Sequence, residues 1–193
     1  MMIKNPAKVM MKSLEESCGL TAYAQTLTLR DFDITDNKKY QKNFTSYYRV
    51  RREASWLRAY YAFMEENKNN DNLDFETILR HLATIPHSTG KGVQTTIEAS
   101  FASKMLATIN TDYPIWDSQV VKAMGIKMNP YLVGEEKIQA YIEAYAKLTA
   151  EIKAFIPTAE GQECIRIFDE EFPNYKHVSP MKKMDYYLWN LGK

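Results

Sequence analysis

From Lys38 onward the chain places Tyr40, Phe44, Tyr47, Val50, Ala54, Leu57, Tyr61 and Met64 three or four residues apart, the repeat of one helix face. Neither Gly nor Pro interrupts this run before the turn-forming NKNNDN at 67–72, which predicts a long helix with room for one break. Asp74 then stands as an N-cap for a shorter helix whose Phe75, Ile78, Leu79 and Leu82 point inward. His87 to Gly92, HSTGKG, reads as a loop. Thr95 to Asn110 reads as helix, with Ile97, Phe101, Met105 and Thr108 on one stripe and Ala102, Leu106 and Ile109 beside it. Pro114 turns the chain by disfavouring αR at the residue before it. Asp117 or Ser118 begins a helix through Met124 that Gly125 stops. Glu135 to Phe155 is amphipathic and closed by Pro157. Thr158 caps a helix to about Glu171, and Ser179-Pro180 opens the last one, whose MDYYLWNLGK reads as amphipathic and packs back on the body.

The first 36 residues are harder to read. Lys8 to Leu20 fits a short helix ended by Gly19, and Thr21 to Asn37 shows no firm period. With no strand signal, repeat or linker, the pattern predicts about seven or eight helices in one all-α domain over 1–193, of which 1–36 is left undefined.

Composition narrows the class without naming a reaction. A chain of 193 residues with 45% apolar and 25% charged positions buries a core without staples. No window reaches the ~18 consecutive apolar residues of a membrane span. MMIKNPAKVMMKSLEES has no apolar core or cleavage site of a secretion signal. Cys18 and Cys164 match no ligand spacing and read as free thiols of a cytoplasmic protein. His81, His87 and His177 share no spacing with each other or with the cysteines, so neither a metal nor a cofactor is expected.

A net charge of +1 excludes a global field for nucleic acid, but charge is segregated locally. Lys38, Lys39, Lys42, Arg49, Arg51 and Arg52 occur in a stretch with no acidic residue, and Lys38, Lys42, Arg49 and Arg52 share one face of the predicted helix. That ridge suits phosphates; a solvated helix face explains it equally. Ser100 and Lys104 are spaced for a Ser–Lys pair but lack oxyanion-hole glycines. Glu98, in an apolar setting, predicts a carboxylate paired with a basic residue.

Ser100 to Lys127, SFASKMLATINTDYPIWDSQVVKAMGIK, concentrates the remaining signal. A helix rich in small residues precedes a short turn with Pro114, and the apolar pair Ile115-Trp116 is followed by Asp117 at a helix start. YPIWDSQVVKAMGIK resembles the F-P-V-D-T-H-V-x-R-V-x-x-R-L-G-L segment of the helix-hairpin-helix base-excision DNA glycosylases. The resemblance implies a DNA-glycosylase-like helical fold, double-stranded DNA as partner, and Asp117 as the carboxylate that assists departure of a damaged base. Ser118 then matches the family's Thr, and Met124-Gly125-Ile126 its Leu-Gly-Leu. Ile85-Pro86-His87-Ser88-Thr89-Gly90-Lys91-Gly92 stands for the family's phosphate-binding glycine hairpin at altered spacing, a degenerate helix-hairpin-helix. Gly90, Lys91 and Gly92 thereby become phosphate contacts. The nucleophilic lysine of the lyase members, due near Ala99, is absent, which points to monofunctional base removal. Trp116 is a base-stacking candidate, with core packing as its other reading. Asp117 equally suits a plain N-cap. The alternative to a glycosylase is a non-enzymatic helical interaction module that binds DNA or a protein partner.

Overall fold

The computed structural model describes residues 18–90 and 92–193, so most of the helix expected over Lys8–Leu20, and the phosphate contact expected of Lys91, lie outside the described residues. Nine α-helices occur among the described residues, together with one short hairpin, and the class is all-α. The chain divides into two compact units, one spanning Cys18–Asn110 and the other containing Thr111–Lys193.

In the first unit, α1 (Cys18–Thr26) runs through Gly19 instead of ending there, and a 3-10 turn follows over Leu27–Asp31. The segment 18–31 is thus helical, although its sequence shows no period. Helix α2 (Lys38–Tyr48) is capped by Asn37, whose side chain accepts the Tyr40 N–H at 2.9 Å. The long helix predicted from Lys38 does break. Arg49 takes a left-handed φ of 53°, Val50 N–H returns to the Thr45 carbonyl, and α3 (Ala54–Asn67) starts afresh.

The break lets α2 and α3 fold an aromatic core together. Phe44 lies 4.8 Å from Tyr48, 6.0 Å from Tyr60 and 5.9 Å from Tyr61, centroid to centroid. Burying each ring contributes ~1.5–3 kcal/mol. The phenols are satisfied: Tyr40 donates to the Thr26 carbonyl, Tyr61 to that of Gln41 and Tyr60 to that of Phe101, each at 3.0 Å. Helix α4 (Phe75–Leu82) begins as predicted, with Asp74 accepting the Thr77 N–H at 2.7 Å.

After Pro86 the structure departs from expectation. His87–Thr89 (β1) and Gly92–Gln94 (β2) pair antiparallel, His87 facing Gln94 and Thr89 facing Gly92. Gly92 takes a φ of +108°, a conformation that strains any side-chain-bearing residue. A β-hairpin therefore occupies the place of the expected helix-hairpin-helix, and α5 (Ala99–Ile109) starts four residues later than its apolar period suggests.

In the second unit, α6 (Ser118–Ala123) is followed by Gly125 at φ +64°. Helix α7 (Gly134–Phe155) buries Tyr145, Leu148, Ile152 and Phe155. Thr158 caps α8 (Ala159–Glu171), and Ser179 caps α9 (Pro180–Gly192). Helix α9 is not amphipathic: Lys182, Lys183, Asp185 and Asn190 are buried beside its apolar residues. It packs on α6 so closely that a side chain at Gly192 would meet the Gln119 backbone. Against α8, Lys183 pairs with Asp169 at 2.6 Å and Tyr187 donates to the Cys164 carbonyl at 2.8 Å. No described helix is long and apolar enough to cross a membrane.

Candidate functional site

The turn before Asp117 is gripped by side chains from far along the chain. Ser179 donates to the Thr111 carbonyl at 2.8 Å, and Tyr145 to the Pro114 carbonyl at 2.7 Å. Ile115 N–H donates to both carboxyl oxygens of Asp185 at 3.3 Å. The Ile115 carbonyl in turn accepts the Asp117 N–H at 3.1 Å. Asp117 itself is extended and half-buried, and its Oδ1 accepts the Gln119 N–H at 2.9 Å, so it caps α6. The cap and the functional carboxylate are compatible, because one oxygen suffices for the cap. Lys122 closes α6 onto α9, donating to the Gly192 carbonyl at 2.6 Å.

Electrostatics set the second acid of this cluster apart. Asp185 is 4% exposed, and burial pushes its carboxyl up to about 7. The Lys182 ammonium and the Ile115 N–H oppose that shift, while the negative charge of Asp117 adds to it. Burial also raises the Tyr145 phenol far above its ordinary range, with Asp185 and Tyr113 contributing. The arrangement therefore sets a carboxyl at a helix start beside a buried acid that keeps its proton to near neutrality.

Of the two readings of Trp116, its burial fits the core one. It is 7% exposed, with its ring set edge-on to Tyr141 at 5.6 Å, and so offers no open face to a base. The basic ridge is corrected. Lys38 and Lys42 are exposed on α2, whereas Arg49 lies past its end in the left-handed region. Arg52 is half-buried and ion-paired with Glu98, with its guanidinium 5.1 Å from the Phe101 ring centroid and 5.9 Å from that of Trp56. The four do not share one helical face, because the helix ends between Lys42 and Arg52. The pairing expected of Glu98 is present, reinforced by Thr96 at 2.5 Å.

Gly90 and Gly92 lie at the exposed hairpin tip rather than in a glycine cradle between helices. The Ser88 amide of the same hairpin is taken by Glu53 at 3.0 Å, which with Ser55 holds that carboxyl below its ordinary range. Arg52 Nε, Trp56 Nε1 and His87 Nδ1 are buried with no hydrogen-bond partner among the described residues. Lys104 is buried against Phe101 at 5.4 Å. Among the described residues, no three His, Cys, Asp or Glu side chains gather as metal ligands would.

Sequence reasoning missed Asp185 and Tyr145. The available signal was an acid inside MDYYLW, where an amphipathic surface helix has no need of a lone charge amid apolar neighbours. No family model, curated protein or solved structure matches this chain.

Proposed function

We propose that this protein removes a damaged base from DNA in the manner of a monofunctional helix-hairpin-helix glycosylase, with Asp117 as the carboxylate that assists. The observation that carries the reading is the gripped turn of 111–117, which delivers a half-buried carboxylate at a helix start. Such a carboxylate stabilises the positive charge that develops on the sugar as the base departs, and orients the attacking water. Pre-positioning matters because a flexible acid loses this advantage to reorganisation. The target base is first extruded from the stack. The exposed Lys38, Lys39 and Lys42 of α2 supply backbone contacts in this reading, and Arg52, held by Glu98, does not.

The test is base release from duplexes that each carry one damaged base, scored as abasic sites opened by alkali. Asp117→Asn, which keeps the cap, should lose about 10²–10⁴-fold in rate while duplex affinity stays unchanged. Equal rates in both proteins remove Asp117 from the reaction. Failure of the wild-type chain to release any damaged base overturns the enzymatic reading.

One observation favours a second reading, a non-enzymatic helical interaction module. Tyr131 is 88% exposed and Val133 73% exposed within one connection, an outward apolar pair that a protein partner would cover. Duplex binding that is flat against salt, with no base release, favours that reading over the first.

A further inference from the structure

We infer that Asp185 is a positioning residue for Asp117, fixing it through the Ile115 peptide so closely that the charge on one carboxyl is felt at the other. The inference rests on the reading of Asp117 as the functional carboxylate.

The geometry runs through a single peptide unit. Asp185 holds the Ile115 N–H, and the carbonyl of the same residue holds the Asp117 N–H, so the backbone leading to Asp117 is tied at both polar ends. Asp185 cannot drift, because α9 is pinned on several sides. Lys122 and the Gln119 backbone meet its Gly192, Lys183 is paired to Asp169 of α8, and Tyr187 bonds the Cys164 carbonyl. Small displacements of a catalytic carboxylate cost rate steeply, which gives this bracing a function beyond stability.

Among the described residues, the charges facing Asp185 are few. Lys182 comes from its own helix, Asp117 from the turn before α6, and Tyr145 from α7 with Tyr113 beside it. On the other packed faces Lys122 is engaged by the Gly192 carbonyl and Asp169 by Lys183. Burial holds the Asp185 proton to near neutrality, leaving a neutral acid that still accepts the Ile115 N–H. Ionisation of Asp185 adds a second negative charge behind Asp117 and alters the field at the sugar.

The test is a carbon-13 carboxyl titration of the full chain, labelled at aspartate, in the wild type, Asp185→Asn and Asp117→Asn. In the wild type the Asp117 resonance should report the ionisation of Asp185 as an inflection at the Asp185 midpoint, and Asp185→Asn should remove it. In Asp117→Asn the Asp185 midpoint should fall by about 0.5 pH or more. Superposable Asp117 curves with and without Asp185, or an unmoved Asp185 midpoint in Asp117→Asn, overturn the coupling. A merely structural role leaves these titrations alone. The Ile115 and Asp117 amide shifts should survive in Asp185→Asn and move in Asp185→Leu, which lacks an acceptor; equal shifts in all three overturn the positioning. None of these readouts depends on base release. An inactive wild type with coupled acids sinks the glycosylase reading alone, and an active one with uncoupled acids sinks this inference alone.

Discussion

The turn at 111–117 and the hairpin at 87–94 stand at the two places where the sequence resembles one family's motifs, and they took opposite courses. The first adopts the element its residues predict, a Pro-led turn ending in an aspartate cap. The second becomes two paired strands where a glycine hairpin between helices was expected. The difference lies in what each motif needs. A cap needs one acceptor oxygen and one amide two residues on, which Asp117 and Gln119 provide by themselves. A glycine hairpin needs left-handed backbone at set intervals, and moving its glycines changes the turn that forms. Support differs too. The turn is held by Asp185, Tyr145 and Ser179 from two distant helices, and the hairpin by its own strand pairs and by Glu53 beneath Ser88.

The largest effect that sharpens this contrast is the pH dependence of stability. Asp185 ionises in the unfolded chain near its ordinary 3.8, but in the folded protein only at about 7. Between those values the folded state holds a proton that the unfolded state has lost. Stability from this group is thus full below about pH 4 and drains as pH rises towards 7, by up to about 4 kcal/mol. Urea unfolding at pH 4.5 and 7.5 measures it. Asp185→Asn should flatten that part of the profile, and an unchanged slope would show that the buried acid is not what titrates. Among the described residues no comparable group lies under the hairpin, where the shifted carboxyl, Glu53, is exposed and shifted downward.

Glycine substitution probes the same pair of regions at a smaller scale. Gly192 has the Gln119 backbone where a methyl group would go, whereas Gly90 at the hairpin tip has open space. Gly192→Ala should cost ~1–3 kcal/mol by forcing α9 off α6. Gly90→Ala should stay within about 0.5 kcal/mol of wild type. Thermal melts of the two variants decide it, and equal melting temperatures would mean that α9 yields freely at its end.

Much of the architecture was legible in the apolar period and the caps. Asp74, Asp117, Thr158 and Ser179 each start the helix expected of them, because a cap is a local property of a few residues. The break at Arg49 was open to a reader only as an allowance, since a left-handed arginine carries no sequence mark of its own. The hairpin was hidden because HST and GVQ, three residues each, are too short to show an alternating face. For the site, Asp117 could be found from its neighbours. Asp185 could not, for its role depends on an amide 70 residues away. Arg52 misled for the same reason: its partner, Glu98, lies 46 positions on.

That pair supplies a further test. Glu98→Ala leaves the half-buried Arg52 without its carboxylate and should cost about 2 kcal/mol. Glu163→Ala, which breaks an exposed pair with Arg166 on α8, should cost no more than ~0.5 kcal/mol. If the two variants melt alike, the Arg52–Glu98 pair is merely a surface contact, and Arg52 returns to the set of free cations.

The smallest effect separates the two ends of the basic stretch. Lys38 and Lys42 stand exposed on α2, and Arg52 is engaged by Glu98 and two aromatic rings. A cation already neutralised within the protein releases no counterion when DNA binds, so only the exposed pair should enter the salt dependence. Replacing both Lys38 and Lys42 by Ala should lower the slope of log affinity against log salt by about 2, with little change in melting temperature. Arg52→Ala should do the reverse, leaving the slope in place and lowering the melting temperature. Fluorescence anisotropy of one labelled duplex at several salt concentrations reads both. A slope that falls with Arg52 and not with the lysines would place the DNA contact on the far side of the helix break, beside the hairpin.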